Sequence, residues 1–428
     1  MTARATAGRL IACHECDLLQ REPALPPDGV LRCCRCRAEL YRAHPDSIDR
    51  ALAFTLAAGV MFAISNVYPI VGLEVNGDLV ETTLLRAVRI LYDDGMWPIA
   101  GLVFATTFLM PLLQMATTTY LLVRLWLHRR PYRADLVFRL MHLAQPWGMT
   151  EVLILGMLVA LFKLAKIASV VPGVALWSFG ALMLLLAAAS AAFDSRALWQ
   201  RPGGQRGAAA DRLPEVAAWP TPAPTAMHCG LLSCHGCGLL MHSRTDPHAT
   251  GCPRCGARLH ARKPDSIART WAFLIAAMVL YIPANVLPVM NTSSVFGSQK
   301  DTILSGVVYL WTSGAWPLAI VVFIASIAVP MLKIMAIMYL VISTQRRSNA
   351  LLRERIRIYR LVELVGRWSM LDIYVITILV ALVQFNALAT IQAGPAAIAF
   401  GAVVVLTMFA AMSFDPRLIW DAAQVCDG

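Results

Sequence analysis

The 428-residue chain is 58% hydrophobic and 15% charged, and its formal net charge is +11 at pH 7. Soluble domains are nearer half apolar and a quarter charged, so the composition excludes a soluble globular protein and predicts a polytopic α-helical membrane protein with small soluble inserts. In such proteins the excess of Lys and Arg lies in cytoplasmic loops, so nucleic acid is not a predicted partner. No signal peptide is predicted, because residues 1–12 lack an apolar core.

The same pattern occurs twice along the chain. Pro45-Asp-Ser-Ile48 recurs 219 positions later as Pro264-Asp-Ser-Ile267, and Phe193-Asp194 recurs 221 positions later as Phe414-Asp415. A register held over this length indicates an internal duplication. Because both copies have the same order of elements, we expect parallel repeats related by an axis along the membrane normal.

Each copy begins with two Cys-x2-Cys pairs, which are separated by 16 residues in the first copy and by 14 in the second. Two such turns joined by a short hairpin predict a zinc ribbon, in which four thiolates hold one tetrahedral Zn²⁺. Ribbons this small are expected to take much of their folding energy from the metal. The predicted ligands of the two zinc ions are Cys13, Cys16, Cys33 and Cys36, and Cys234, Cys237, Cys252 and Cys255.

Disulfides and a redox-active Cys-x2-Cys motif are the alternatives to zinc. Stable disulfides are not expected in the cytoplasm, and a redox motif needs one pair rather than two facing pairs. Cys34, Cys229 and Cys426 fall outside the pattern and are interpreted as ordinary thiols, although Cys34 or Cys229 could substitute as a ligand.

The cysteines and the apolar segments divide the chain into six parts. In chain order these are zinc ribbon 1 at 1–44, transmembrane unit 1 at 45–199, a linker rich in Pro, Gly and Ala at 200–228, zinc ribbon 2 at 229–262, transmembrane unit 2 at 263–420 and a tail at 421–428. Each unit is predicted to contain four transmembrane helices, long enough to cross a hydrocarbon layer of about 30 Å. They are expected near 51–70, 97–127, 140–165 and 173–193 in unit 1 and near 270–290, 316–343, 362–386 and 394–414 in unit 2.

The orientation follows from the placement of positive charges. Arginines cluster in the loop between the second and third segments of each unit, among them Arg129, Arg130, Arg346 and Arg347. Both ribbons lie on the same side of the membrane as these loops. The positive-inside rule therefore predicts that both termini and both ribbons are cytoplasmic.

Polar residues interrupt the apolar segments, mostly in unit 2. Lys333 and Ser326 are seven positions apart and share a helical face, and Ser369 and Asp372 share another. An ionisable group in a bilayer is costly and usually faces a partner or a water-filled cavity, so Lys333 and Asp372 are candidate partners. The network is interpreted either as a site that binds a headgroup or relays a proton, or as a structural ion pair between helices.

Unit 1 retains only the carboxylate of this network, because Glu151 stands at the position of Asp372 and Gln114 at that of Lys333. Lys163 is a further candidate from unit 1. Pro111 and Pro330, at matched places, are expected to kink their helices. The full predicted network is Ser326, Lys333, Ser369, Asp372, Thr407, Lys163 and Glu151.

The sequence contains no HExxH, GxSxG or Walker motif. The chain is therefore not predicted to be an enzyme or to hydrolyse ATP on its own. If it performs transport, the energy must come from an ion gradient, from a partner or from the gradient of the substrate.

With its doubled zinc ribbon followed by four helices, the chain resembles the paraquat-inducible protein A family, and the PqiA branch more closely than the LetA branch. The resemblance covers nearly the whole chain. Its most specific stretches are Asp301-Thr-Ile-Leu-Ser305, Gly366-Arg-Trp-Ser-Met-Leu-Asp372 and Phe414-Asp-Pro-Arg417 in unit 2, and Ser65-Asn-Val-Tyr-Pro69 and Trp147-Gly-Met-Thr-Glu151 in unit 1.

This resemblance implies a protein of the Gram-negative inner membrane that works with an MCE-domain partner, which forms a periplasmic tunnel and carries phospholipid toward the outer membrane. It also implies that the polar network matches Ser326, Lys333, Ser369, Asp372, Thr407 and Lys163, although Lys166 stands where the family can have an acid. Two other classes stay open, namely a redox or metal sensor built on the ribbons and a passive anchor for the MCE partner. A passive anchor has little reason to hold costly charges inside the membrane.

Overall fold

The structure is a computed structural model that describes residues 10–23, 26, 29–42, 47–75, 78–129, 132–148, 150–164, 169–193, 224–242, 251–294, 297–314, 316–382, 384–385 and 389–421. It is mostly helical, and it confirms the predicted class of a polytopic α-helical protein with two tandem repeats that each join a ribbon to a helical unit. Most of the predicted linker at 200–228 and nearly all of the tail at 421–428 lie outside the described residues.

The first repeat alternates short strands with long helices. The described part of ribbon 1 contains the hairpins β1 (Leu10–Ala12) with β2 (Leu19–Arg21) and β3 (Val30–Arg32) with β4 (Glu39–Arg42). Unit 1 follows with α1 (Ser47–Val67), β5 (Val71–Val75), β6 (Asp78–Thr82), α2 (Leu84–Asp93), α3 (Trp97–Phe104), α4 (Met110–Trp126), α5 (Ala134–Ala144), α6 (Thr150–Leu164), β7 (Ser169–Pro172) and α7 (Val174–Ala192).

The second repeat has the same order of elements. Ribbon 2 contains the hairpin of β8 (Leu231–Ser233) with β9 (Leu240–His242). Unit 2 follows with α8 (Ser266–Val286), β10 (Met290–Ser294), β11 (Gly297–Asp301), α9 (Ile303–Thr312), α10 (Trp316–Phe323), α11 (Val329–Gln345), α12 (Leu352–Trp368), α13 (Leu371–Leu382), β12 (Gln384–Phe385), β13 (Ala389–Ala393), α14 (Pro395–Ser413) and α15 (Leu418–Asp421).

Seven helical stretches of the described chain are long and apolar enough to cross a membrane. The predicted segment near 362–386 is instead divided between α12 and α13 by a turn at Ser369 and Met370. With 12 residues, α13 is about 18 Å long, which is shorter than a hydrocarbon layer of about 30 Å. The seven stretches are Ile48–Val67, Trp97–Trp126, Ala134–Leu161, Val174–Ala192, Ser266–Val286, Ala319–Gln345 and Pro395–Ser413.

The prolines expected to kink helices follow a π-helical turn in both units. The turns are Ala105–Leu109, directly before α4, and Ile324–Ala328, directly before α11. Pro111 and Pro330 lack the N–H that would bond to the carbonyl four residues earlier. A π-helical turn, which widens the helix by one residue, accommodates this loss.

A small antiparallel sheet follows the first long helix of each unit, which the sequence did not indicate. In unit 1 the central strand β5 pairs with β6 and β7, and in unit 2 the central pair is β10 with β13, flanked by β11 and β12. Because β5 and β10 follow the helices that begin beside the ribbons, both sheets lie at the end of the helices far from the ribbons.

The recurring Pro-Asp-Ser and Phe-Asp motifs meet in unit 2. Ser266 begins α8 and donates a hydrogen bond to the Ser413 carbonyl at the end of α14, while its hydroxyl accepts one from the Asp415 backbone N–H, both at 2.9 Å. The Lys263 N–H donates to the Asp415 carboxylate at 3.0 Å. These bonds tie the start of α8 to the end of its antiparallel neighbour, so both motifs have a structural role.

The two units form one body, because α13 of unit 2 packs against α2 and α6 of unit 1. Leu153 and Met157 of α6 share a buried core with Ile378 of α13 and Phe400 of α14. Since α6 and α13 occupy the same position in their repeats, the interface brings corresponding elements together.

Each ribbon packs against the helices of the other unit. The cysteines of ribbon 1 share a core with Ile337 and Val341 of α11 and with Trp420 of α15. The cysteines of ribbon 2 share a core with Leu125 of α4 and Phe138 of α5. The ribbons are therefore exchanged between the two repeats, and each ribbon joins the two halves of the chain.

Candidate functional site

The structure brings the eight predicted cysteine ligands into two clusters of four, in each of which the sulfur atoms lie within 4.8 Å of one another. The sulfur atoms face each other across the hairpins, with Cys13 Sγ 3.5 Å from Cys36 Sγ and Cys234 Sγ 3.4 Å from Cys255 Sγ. Four thiolates at about 2.3 Å from a tetrahedral Zn²⁺ would lie about 3.8 Å apart. A disulfide needs about 2.05 Å between its sulfurs, so these clusters fit a metal ion and not disulfides.

The turns that present these thiolates need a left-handed residue directly after the second cysteine of each pair. Each ribbon has two such turns. The left-handed residues are Asp17 (φ 61°) and Arg37 (φ 60°) in ribbon 1, and Gly238 (φ 67°) and Gly256 (φ 65°) in ribbon 2. The backbone N–H of that residue bonds to the carbonyl of the first cysteine, as Asp17 does to Cys13 at 2.9 Å. Glycine and aspartate tolerate this conformation better than most residues, so local sequence explains three of the four turns.

Cys34 and Cys229 are both exposed and belong to neither cluster. The structure therefore gives no support to their substitution as ligands. Cys426 lies outside the described residues.

Buried charges hold the exchanged ribbons in place. The Asp17 carboxylate of ribbon 1 lies 3.1 Å from the guanidinium of Arg262, the last residue of ribbon 2, and 3.9 Å from that of Arg417 in unit 2. The single Nε–H of Arg360 on α12 is shared between both oxygens of the Glu15 carboxylate, at 3.0 Å from each. Nη2 of the same arginine donates to the Glu15 carboxylate at 2.5 Å and to the Cys36 carbonyl at 2.8 Å. The ion pairs thus link ribbon 1 to the second repeat.

Arg417 also reaches ribbon 2, because its Nη2 lies 3.1 Å from the ring nitrogens of His235. Burial, together with the charge of Arg417, lowers the pKa of His235 to about 4. A neutral imidazole has one nitrogen that accepts a hydrogen bond. At neutral pH His235 is thus the acceptor for a guanidinium that also lies beside Asp17.

The second site is centred on Lys333 in α11, whose side chain is only 2% exposed although it lies in a long apolar helix. Lys333 Nζ lies 3.3 Å from the place where a Cβ on Gly366 of α12 would be. The glycine thereby leaves room for the ammonium group. Among the side chains that the structure describes, neither the Lys333 ammonium nor the Ser369 hydroxyl has a hydrogen-bond partner.

The other predicted network residues of unit 2 lie on elements packed around Lys333. Ser326 is buried in the π-helical turn before α11, and Ser369 is buried at the turn between α12 and α13. Thr407 is buried on α14, where its hydroxyl donates to the Val404 carbonyl at 2.9 Å. Because α11, α12 and α14 contact one another, three hydroxyl-bearing residues and one lysine belong to the same helical cluster.

The described part of the structure does not bring the remaining network residues to Lys333. Asp372 lies in the first turn of α13 and Lys163 near the end of α6, but both side chains are outside the described part of the structure. The pairing of Lys333 with Asp372 therefore stays a prediction. Glu151 is exposed in the first turn of α6.

Unit 1 has a neutral counterpart of the lysine site. Gln114 stands at the position of Lys333, and its Oε1 lies 2.9 Å from the place of a Cβ on Gly148, which stands at the position of Ser369. The side-chain amide of Gln114 thus occupies the space that a side chain at position 148 would need. The buried ammonium group belongs to unit 2, and so the chemistry of the two repeats differs.

Sequence reasoning missed the residues that hold the ribbons, above all Asp17, Arg262 and Arg360. Two of them are partly indicated by the sequence, because Asp17 directly follows a ligand cysteine and Arg262 is the last residue of a ribbon. Nothing in the local pattern indicates that their partners lie in the other repeat.

The sequence model of the family described as Paraquat-inducible protein A matches residues 48–202 and again residues 267–424. Intermembrane transport protein PqiA of Escherichia coli (strain K12) is 34% identical over 416 residues, which cover 97% of this chain and 96% of the relative. Lipophilic envelope-spanning tunnel protein A of the same strain is 32% identical over 96% of this chain and 91% of its own. A probable intermembrane transport protein of Haemophilus influenzae is 28% identical over 96% of each chain. No solved structure matches the chain.

The long apolar helices, taken with these relatives, make this a multi-pass membrane protein. The two matched segments coincide with the two helical units, and together they cover more than half of the sequence. The chain belongs to the paraquat-inducible protein A family.

Proposed function

We propose that this chain is the inner-membrane subunit of a system that moves phospholipid between the membranes of a Gram-negative envelope. In this proposal a periplasmic MCE-domain tunnel protein is its partner, and the ribbons and both termini are cytoplasmic. Two relatives are named intermembrane transport proteins and a third an envelope-spanning tunnel protein. None of these names denotes an enzyme, and the chain itself is proposed not to be one.

The observation that carries the proposal is the buried Lys333. An ammonium group in the apolar interior of a membrane protein is costly, and it usually serves a substrate or ion pathway. The hydroxyls of Ser326, Ser369 and Thr407, which are 2–3% exposed, belong to the same helical cluster. A buried cation among helices that carry hydroxyl groups suits the phosphate of a lipid headgroup, for which Asp372 would compete as the alternative counter-charge.

Lys333→Met tests the proposal, because methionine keeps the volume and flexibility of the side chain but removes the charge. We expect the variant to reach normal levels and to bind the MCE partner, yet to fail to restore the envelope barrier in a strain that lacks the gene. Gln114→Met is the matched control at the equivalent position of unit 1. Full activity of Lys333→Met would exclude the proposed role of the lysine, while loss of partner binding in a folded variant would favour the passive anchor.

We also propose that Zn²⁺ is the metal in both ribbons. Four thiolates with no open ligand position are typical of structural zinc sites. Such a metal would hold the hairpins of each ribbon together, and the ribbons would then hold the two units together. The expected metal content of the purified chain is two zinc ions per molecule, measured by elemental mass spectrometry.

A sensor is the second candidate, favoured by the position of both cysteine clusters at contacts between the repeats. Oxidation of the thiols would release the metal and loosen those contacts. Peroxide treatment of cells should then change transport in proportion to zinc loss. Transport that stays constant while zinc is lost would exclude the sensor.

A further inference from the structure

A groove of about 730 Å³ runs between α1 and α4 of unit 1, and no residue of unit 2 lines it. Its walls are Leu56 and Phe62 of α1 and Leu112 and Val123 of α4, and its floor is Gly59. The volume is within the range of about 300–1,000 Å³ that small-molecule sites have in proteins. An elongated apolar groove on a membrane helix pair has the shape of a site for acyl chains.

Two arginines line the end of the groove that lies beside the ribbons. Arg124 is in the last turn of α4, and Arg129 follows that helix, with its backbone N–H bonded to the Arg124 carbonyl at 2.9 Å. The Arg124 guanidinium lies 5.6 Å from the centroid of the Tyr120 ring. No carboxylate lines the groove, and within the described part of the chain no ion pair involves either arginine. The cationic end is thus available to an anionic group.

The groove has the length that a membrane lipid needs. From Leu127 to Leu112, both of which line it, α4 rises about 22 Å at 1.5 Å per residue. One leaflet contributes about 15 Å of hydrocarbon, half of the total of about 30 Å. A lipid whose headgroup lies at the arginines can therefore place its whole chain length along the groove.

Gly59 makes the groove possible. No heavy atom lies within 4 Å of the place where its Cβ would be, so the space above it is open. Met278 stands at the same position of unit 2, where it packs against the buried core of α8 and α11. The two repeats thus differ at the position where the groove of unit 1 has its glycine.

We propose that the α1–α4 groove of unit 1 binds one anionic phospholipid from the leaflet beside the ribbons, with its phosphate at Arg124 and Arg129 and an acyl chain over Gly59. The lipid class rests on charge complementarity, because the two arginines at the polar end form no ion pair within the described part of the chain and favour a headgroup with a net negative charge. This inference rests on the transport function proposed above and extends it, since it identifies a site that would hold a lipid substrate before transport. The binding itself does not require that transport occurs.

Native mass spectrometry of the full chain in mild detergent tests this site. The chain is first depleted of lipid and then mixed with equal amounts of dioleoyl-phosphatidylglycerol and dioleoyl-phosphatidylcholine. We expect one phosphatidylglycerol per chain to be retained in preference to phosphatidylcholine. Because each cation near a membrane surface contributes about 1 kcal/mol, which is about fivefold in affinity, Arg124→Gln should reduce the preference about fivefold.

Gly59→Leu is the variant that fills the groove, and Gly180→Leu in α7 is its matched control. Gly180 also has open space at its Cβ position but does not line the groove. Leucine is a better helix former than glycine, so both variants should fold. We expect Gly59→Leu to lose the retained phosphatidylglycerol and Gly180→Leu to keep it.

Three results would overturn the proposal. They are equal retention of both lipids by the unaltered chain, wild-type retention by Gly59→Leu, and equal loss in both glycine variants. The Lys333→Met variant should keep the bound lipid, because its side chain lies in the other unit. If that variant is fully active, the transport role of Lys333 fails while the groove still binds lipid, so the two proposals are tested separately.

Discussion

The Tyr374 hydroxyl on α13 donates a hydrogen bond of 2.9 Å to the Thr106 hydroxyl in the π-helical turn of unit 1. Both residues are 1% exposed, and Thr106 donates onward to the Leu102 carbonyl at 2.9 Å. This polar chain crosses the interface between the two repeats inside the apolar core. Since a hydroxyl group without a partner is costly in such surroundings, the bond fixes how the units fit together.

Removal of this bond should destabilise the joined units. We expect Tyr374→Phe and Thr106→Val to lower the free energy of unfolding by about 1 kcal/mol each, with a coupling of about 0.6–1.7 kcal/mol in the double variant. Titration with a denaturing detergent measures these changes. Thr117→Val is the control, because the Thr117 hydroxyl bonds only within its own helix. A double variant whose effects simply add would show that the bond contributes nothing.

The two glycines that precede α7 and α14 should not tolerate alanine. A Cβ at Gly173 would overlap the carbonyl oxygen of Pro69, and a Cβ at Gly394 would overlap that of Pro288. We expect Gly173→Ala and Gly394→Ala each to cost at least about 2 kcal/mol of stability, because the backbone must move apart. Gly180→Ala meets no atom and should be neutral or stabilising by up to about 1 kcal/mol. Thermal unfolding in detergent compares the three, and equal melting temperatures would contradict the close approach.

Asp17→Asn should loosen ribbon 1 from unit 2. The change leaves the Arg262 and Arg417 guanidinium groups, which are 13% and 3% exposed, without the charge of Asp17. Removal of one member of a buried ion pair costs about 3–5 kcal/mol, and we expect the lower end because Asp421 also pairs with Arg262. Asparagine keeps the left-handed turn. Hydrogen exchange of ribbon 1 measures the effect.

Glu39→Gln, which breaks an exposed pair with Arg42, is the control for Asp17→Asn. Similar exchange rates in both variants would argue against the role of Asp17.

Each cysteine cluster should contribute one zinc ion to the metal content, independently of the other cluster. Cys16→Ser is expected to reduce zinc from two ions per chain to one, because serine is a poor zinc ligand and the other cluster is intact. Cys34→Ser should keep both ions, since Cys34 is exposed and outside the clusters. Elemental mass spectrometry gives the content. Two ions in the Cys16→Ser protein would mean that this cluster does not hold the metal.

The features that could be predicted from the sequence are those that depend on the spacing or composition of residues along the chain. The spacing of Cys13, Cys16, Cys33 and Cys36 identifies one ribbon, and the offset of 219–221 positions identifies the repeat. Continuous apolar segments identify most of the membrane helices. The family was also evident, because motifs such as Gly366-Arg-Trp-Ser-Met-Leu-Asp372 are specific.

The features that could not be predicted depend on distant contacts. The break between α12 and α13 is hidden because neither Ser369 nor Met370 is a helix-breaking glycine or proline. The pairing of β5 with β7 joins strands that are almost a hundred residues apart. Ribbon exchange is the clearest case, since Glu15 and Arg360 are 345 positions apart. The pairing of Lys333 with Asp372 also stays a prediction.

Ribbon exchange sets an order of events during synthesis. Ribbon 1 leaves the ribosome first, but the α12 residue that binds Glu15 is made 345 residues later. At about 5–20 residues per second, ribbon 1 waits roughly 17 to 70 seconds for its docking surface. Throughout that interval ribbon 1 lacks the residues of α11 and α15 that share its core in the folded protein. The N-terminal half made alone would keep that surface of ribbon 1 uncovered, and we expect chaperones and proteases to act on such a truncated product.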